Sequence, residues 1–439
     1  MEALLHYCWK HRILPLGGLE TTDGMAVEVL DPGLHNTDAG PDFCNAKVKI
    51  GGVLWCGCVE IHSKASDWRA HGHGADPRYD NVVLHVVGAD DYRAETSAGT
   101  MPPQALLEVP GRVAENYAEL MAADSYPPCA GVIPDVPPVR VHTWLNSLLA
   151  ERLERKTADI VRRVEDCQGA WEAACFTTLA RSYGFGVNSD ALEEWAVALP
   201  LQLVGRHRDD PFQVEAMFMG TAGLLLPDSM PAKGRTDGLA DPYYKRMEAE
   251  YAFLKHKFSL EEMRHGAWKF LRLRPQNFPY IRLSQLAALY CSGRAGMSRI
   301  AECGSYAEAA GLVSSQPSEY WRTHYAFGKE STYSAKRLSA QSANVVVINA
   351  VAPLMFAYGR HKNDETLCDR AITLLEEAKA EDNHVTRKWS GCGVEAANGA
   401  ESQALVQLKT RYCDRKDCLR CRFGYEYLKS KWKETHRRG

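Results

Sequence analysis

The stretch from Gly40 to Trp68, GPDFCNAKVKIGGVLWCGCVEIHSKASDW, holds the residues best suited to chemistry. Pro41-Asp42 stands just before one alternating segment, and Glu60, His62 and Lys64 lie along the next. A period of two puts Glu60 and His62 on one face of a strand, and Lys64 joins them if the strand continues. Two carboxylates on neighbouring strands repel, and one pKa rises unless a cation sits between them. A hard divalent ion, Mg²⁺ or Mn²⁺, resolves that conflict through oxygen ligands. Such an ion polarises a phosphoryl oxygen and activates water, which is the chemistry of phosphodiester hydrolysis. A basic neighbour, His62 or Lys64, then orients the water or offsets the developing charge. Glu28, alternating within a nearby segment, is the preferred further acid, and Glu2 is the other candidate.

A second chemistry competes for the same region. His62, His71, His73 and His85 fall close together, with His35, Asp38, Asp67 and Asp76 among them. Three protein ligands and a water make a hydrolytic zinc site. An extended His71-x-His73 places both rings on one side, although the chain has no HExxH helix. Against both readings, an aspartate after proline is an ordinary turn residue. Glu60 would then be a plain strand position, and Trp68 is read as packing.

The elements that must position these residues are legible. AVEVL (Ala26 to Leu30) and AKVKI (Ala46 to Ile50) alternate, Gly51-Gly52 makes a hairpin turn, and Val53 to His62 is the partner strand. Asn81 to Val87 is nearly all apolar, as the buried centre of a sheet requires. Pro103 to Pro110 is a further strand candidate. Helices are expected from Glu2 to Ile13 and around Asp67 to His71. Tyr126 to Pro138 is a proline-rich linker. Beyond it the spacing is helical, beginning with Trp144 to Val164. The expected organisation is α+β, with an α/β domain over 1–125 and a mostly helical domain over 139–439.

Pro-Asp before one strand and Glu-x-His on the next, behind an opening helix and ahead of a later strand, resembles the PD-(D/E)XK nuclease superfamily. The resemblance implies a restriction-endonuclease-like core of order α-β-β-β-α-β in about a quarter of the chain. Asp42 matches that family's metal-binding aspartate and Glu60 its second acid. His62 stands where the family has lysine, so either His62 or Lys64 does that work, or the core binds nucleic acid without cutting it. The whole sequence also resembles an uncharacterised bacterial family of unknown function, through DPGLHNTDAGPDF, VEIH, DW, HGH and LHVV at the start and SQALVQLK with its following cysteines at the end.

Near the C-terminus, Cys413-x4-Cys418-x2-Cys421 groups three thiols, which suits zinc or an iron–sulfur cluster. Cys392 is the preferred fourth ligand, with His384 second, and unligated reduced thiols are the alternative. Some proteins of the nuclease resemblance carry a cluster held by C-terminal cysteines. The tail from Lys409 to Arg438 is basic, with Tyr412, Phe423, Tyr425, Tyr427 and Trp432 interleaved, a pattern that suits phosphate backbones and base stacking. Arg272, Arg274 and Arg282, and Tyr320 to Lys329, repeat it, although ordinary helix packing explains them as well. The net charge of −3 means that a nucleic-acid partner would need a local basic face. The opening residues lack the pattern of a signal peptide. The longest apolar run, Val345 to Tyr358, contains Asn349 and Pro353 and is read as a core helix, so no membrane partner and a cytoplasmic setting are expected.

Overall fold

Strict alternation backed by a Gly-Gly pair forces a hairpin, and the computed structural model builds one. It describes residues 1–14, 18–36, 38–230, 234–263, 265–271 and 273–430. Arg272 and the tail residues Lys431, Trp432, Lys433, Glu434, Arg437 and Arg438 lie outside the described residues. The strands of the first unit are β1 (Leu19–Glu20), β2 (Ala26–Asp31), β3 (Leu34–His35), β4 (Phe43–Ile50), β5 (Val53–His62), β6 (Val82–Val87) and β7 (Gln104–Leu106). Ile50 pairs with Val53 across the turn. Gly51 and Gly52 both have positive φ, 57° and 84°, which matches the turn to the right-handed twist of its strands.

The sheet is mixed, in the order β1-β2-β4-β5-β6-β7, with β3 also on β4. β2, β4 and β5 pair antiparallel, whereas β5, β6 and β7 run parallel. Thr21 bridges to Ala105, and Thr22 N–H donates to Gln104 O at 2.7 Å, so the sheet curls until its edges meet. Helix α1 (Glu2–Lys10) lays Leu5, Cys8 and Trp9 inward. The crossover from β5 to β6 holds only α2 (Asp67–Ala70) and two 3-10 turns, His73–Ala75 and Pro77–Tyr79. Trp68 anchors this crossover: it packs with Cys58, Tyr79, Val82 and Ala94, and its Nε1 donates to Glu95 O at 3.0 Å. The packing role read for Trp68 is what the structure has.

The chain forms two units, one from Met1–Pro137 with the segment from Lys409, the other Pro138–Leu408. The C-terminal segment, expected from its sequence to belong to the helical domain, is part of the first unit. It joins the first unit because α3 (Gly111–Ala122) presents a buried Asn116, whose Nδ2 donates to the carbonyls of Tyr427 (3.3 Å) and Leu428 (3.2 Å) in the helix Arg422–Lys429. The Tyr425 ring lies 4.7 Å from that of His11 and 6.4 Å from that of Tyr7.

The second unit is helical apart from the short pair His324–Ala326 and Lys329–Glu330. Its first helix, α4 (Pro138–Asp166), covers the expected Trp144 to Val164. The apolar run falls in the helix spanning Ala340–Lys362. That helix is long and apolar enough to cross a membrane, yet 67% of its most apolar window is buried inside the protein, so it serves as a core helix. A π-helical turn, Val347–Val351, precedes Pro353. Proline has no N–H to close an α-helical bond back to Asn349, which favours the wider turn. Arg282 turns inward, donating to Gln285 Oε1 (2.8 Å) and Asn277 Oδ1 (2.6 Å), so its side chain serves packing and not an exposed face.

Candidate metal centre

The hairpin carries Asp42 to the foot of β4, directly beside Glu60 on β5. Asp42 N–H donates to Glu60 Oε2 at 2.9 Å, and Ile61 N–H donates to Asp42 Oδ2 at 2.9 Å. The two acids therefore meet, as the spacing required. Sequence reasoning missed their third partner, His6 on α1, whose Nε2 lies 3.2 Å from Asp42 Oδ2. Burial opposes charge on His6, but the bond to Asp42 and its negative charge outweigh that and raise the His6 pKa. Burial would likewise raise the pKa of Asp42, yet His6 and the Ile61 N–H hold it below its ordinary value. The two side chains form a dyad in which each favours the charged form of the other. Glu60 moves the other way: burial first, then the charge of Asp42, raise its pKa against the pull of His73 and of the Asp42 N–H.

The histidines converge on the free oxygen of Glu60. His73 Nε2 lies 3.2 Å and His62 Nε2 3.5 Å from Glu60 Oε1, and His71 Nδ1 lies 3.2 Å from His62 Nε2. His62, His71 and His73 each present a ligand atom within 4.8 Å of the others. Four donors around one ion in a tetrahedral site, at about 2.05 Å each, sit about 3.3 Å apart. The His62–His71 separation is close to that edge length, and Glu60 Oε1 stands at similar distances from His73 and His62. His73 is stacked on Tyr79, with centroids 3.9 Å apart, which fixes its ring plane. His62 is 1% exposed and Glu60 4%, while His71 is exposed and opens the group to solvent on its side.

Hydrogen-bond logic determines which nitrogen of His62 is bare. Gln104 Nε2 donates to Asp90 Oδ1 (2.5 Å) and Tyr92 O (3.1 Å), so its amide oxygen faces His85 Nδ1, 3.0 Å away. His85 Nδ1 must carry the proton. Burial lowers the His85 pKa to about 4 against the bond to Gln104, so its Nε2 is an acceptor. That nitrogen lies 2.9 Å from His62 Nδ1, which must therefore donate. Burial, reinforced by His85, His73 and His71, lowers the His62 pKa to about 3. His62 is neutral, and its Nε2 lone pair points at Glu60 Oε1 and His71. A ligand histidine whose other N–H is held by an acceptor is the usual support of a metal site. His85 is thus a positioning residue behind His62 and not a member of the cluster.

Two expected residues are not brought to the centre. Glu28 is exposed, 3.3 Å from Lys49 and opposite it in register at the hairpin end of the sheet. That end is roughly 20 Å along β4 from Asp42 at the strand rise. β5 ends at His62, so Lys64 does not continue its face; it is exposed, and its N–H donates to Asp67 Oδ2 at 3.0 Å.

The cysteines make a separate group in the first unit. Cys418 opens a 3-10 turn, and Cys421 N–H donates to Cys418 O at 3.3 Å ahead of the helix Arg422–Lys429. Cys129, from the proline-rich linker, is buried, and its thiol pKa is raised first by that burial and then by Cys421, Cys413 and Cys418. Burial and then Cys421 and Cys418 push up Cys413 in the same way. Cys392, the expected fourth partner, belongs to the second unit, where its Sγ donates to Lys388 O at 3.3 Å. The thiol whose ionisation the three influence, and which lies in the same unit, is Cys129.

No curated protein and no solved structure matches the chain. A family model described as Protein of unknown function (DUF2851) matches residues 2–384. That span covers most of the chain, which therefore belongs to this family.

Proposed function

We propose that the chain is a metal-dependent hydrolase of phosphodiester bonds, with DNA or RNA as substrate, and that His62, His71 and His73 hold its metal, leaving a fourth position for water beside Glu60. One observation carries the reading: a neutral His62 whose bare Nε2 meets His71 Nδ1 at a tetrahedral edge distance, with Glu60 Oε1 close by. The imidazole donors favour zinc or manganese over magnesium, which prefers oxygen ligands. A divalent ion there supplies Lewis acidity toward water and a phosphoryl oxygen. Asp42 is held by His6 and the Ile61 N–H, so it orients Glu60 through its own N–H and stays outside the ligand set. The raised pKa of Glu60 suits a group that takes up a proton during the reaction. The nucleic-acid substrate is supported by the nuclease-like placement of Asp42 and Glu60 and by the element order: a helix, five strands of which β2, β4 and β5 are the long antiparallel ones, a short helical crossover and two parallel strands. The test incubates the purified chain with single- and double-stranded DNA and RNA in Zn²⁺, Mn²⁺ or Mg²⁺. Cleavage with zinc or manganese that exceeds cleavage with magnesium is expected; no cleavage of any substrate with any ion would remove the reading.

We further propose that Cys129, Cys413, Cys418 and Cys421 hold a structural zinc ion or an iron–sulfur cluster. Burial and mutual crowding keep these thiols protonated without a metal, and a zinc or iron ion among them would displace the protons. Elemental analysis and the visible spectrum of the purified chain should show metal that Cys129→Ser removes and Cys392→Ser leaves in place. Unchanged metal content in Cys129→Ser would defeat this assignment.

A further inference from the structure

The second unit contains a cavity of about 650 Å³ whose walls are strongly cationic. One wall is a face of α4, on which Arg155 and Lys156 stand three and four residues after Arg152, and Arg163 two turns beyond Lys156. Arg162 and Arg181 complete the set, against only two lining carboxylates, Asp159 and Glu193. Both carboxylates are already engaged. Glu193 takes Arg163 Nε at 2.5 Å and also Arg181, and Asp159 pairs with Arg162 at 3.3 Å. Arg152 donates to the amide oxygen of Gln403 (2.8 Å) and Arg155 to that of Gln407 (3.2 Å), which orient them. Lys156 makes no hydrogen bond or ion pair among the described residues. Burial, and then Arg152, Arg155 and Arg163, lower its pKa to about 7.

Three further features mark the cavity as a built site. Ser182 Oγ, in its lining, is buried without a hydrogen-bond partner. A buried hydroxyl left in that state has lost its water without replacement, which an acceptor or donor from a ligand would make good. Phe185, also in the lining, has φ of +46°, the left-handed region that a bulky side chain rarely adopts. Backbone strain of this kind collects at ligand clamps. The lining also includes Asn349, from the π-helical turn, a feature frequent at functional sites.

We propose that this cavity binds a phosphorylated small molecule of nucleotide size, with Lys156 Nζ and Ser182 Oγ contacting phosphate oxygens inside a ring of guanidinium groups. Arginine forks and a lysine point charge are the usual recognition set for phosphate. The volume lies within the range of small-molecule pockets. A single concave pocket, not a stripe along the surface, favours a small ligand over a nucleic-acid backbone. The site lies in a different unit from the metal centre, so the two proposals stand or fall separately.

Titration calorimetry on the full chain with pyrophosphate, with adenosine triphosphate and with a single-stranded oligonucleotide tests it. Binding of the first two probes is expected, weakened at least tenfold by Lys156→Met. Ser182→Asp, which places a carboxylate in the site, should abolish it. Lys156→Met should melt no lower than the parent chain, because no ion pair is lost. Absence of binding by both small probes, binding unchanged in both variants, or binding of the oligonucleotide alone would each overturn the proposal.

Discussion

His62→Ala should lower zinc affinity at the histidine centre by at least a hundredfold and reduce metal-dependent hydrolysis by at least a thousandfold. The size follows from position. His62 Nε2 is the atom common to two of the three short separations, to Glu60 Oε1 and to His71 Nδ1, so its removal leaves the other donors without a shared vertex. Gln104→Leu should give a milder version of the same defect. Gln104 is fully buried and touches no proposed ligand; it acts by forcing His85 Nδ1 to donate, which in turn leaves His62 Nε2 bare. Loss of such an outer partner typically costs 10–100-fold in metal affinity. Competition titrations with a chromophoric chelator measure both variants, with Lys64→Ala and Glu28→Ala as controls that should bind and cleave as the parent does. Equal zinc affinity in His62→Ala and the parent, with the cysteine-held metal counted separately, would remove the centre.

The parts of the site that the sequence disclosed are those governed by local rules. Alternation around Gly51-Gly52 fixed the hairpin, and with it the meeting of Asp42 and Glu60, because a strand's period leaves one register for its buried face. The segment from Asp67 to His73 could be recognised as rich in histidine, but not as a convergence of rings. That geometry depends on a crossover made of one helical turn and two 3-10 turns, with Trp68 buried beneath it. His6 gave no signal, since its partner Asp42 is distant in the chain and only the docking of α1 joins them. Glu28 failed for the opposite reason: its alternation was read correctly, but the antiparallel register carries it to the other end of the sheet. The strands Leu19–Glu20 and Leu34–His35 are too short to show any period. The linker that looked like a boundary marker holds Cys129, and the tail assigned to the helical domain returns to the first unit through Asn116. Contacts between residues hundreds of positions apart leave no mark in a local pattern.

Acidification should unfold the metal-free first unit well before its carboxylates titrate. His62 and His85 are buried as neutral bases, with pKa values lowered to about 3 and about 4 from 6.5. For a base with a depressed folded pKa, the unfolded chain binds the extra proton, so stability is present above pH 6.5 and is lost as pH falls toward the folded values. Each group contributes a slope approaching 1.4 kcal/mol per pH unit over that window, so the pair removes about 3 kcal/mol between pH 6.5 and 5. His11, lowered to about 4 chiefly by burial and also by Lys10, adds in the same direction, but it is more exposed and counts for less. His6 runs the other way. Its raised pKa means that its contribution is complete below 6.5 and fades as pH rises through the folded value, while Asp42, with its depressed pKa, contributes stability that is complete above about 3.8 and is lost as pH falls toward its lower folded value. The dyad therefore cannot offset the loss, since its stabilisation is already complete where the loss begins. Amide hydrogen exchange of β5 and β6 in the chelator-treated chain reads the local free energy, and protection there should fall by about two orders of magnitude from pH 6.5 to 5 after correction for the intrinsic rate. Bound zinc should steepen the loss, because protons and metal compete for the same nitrogen atoms. His62→Gln with His85→Gln should flatten it. Protection that stays constant across this range in the metal-free parent chain would show that the two imidazoles are not held neutral, and the tautomer chain from Gln104 to His62 would fall with it.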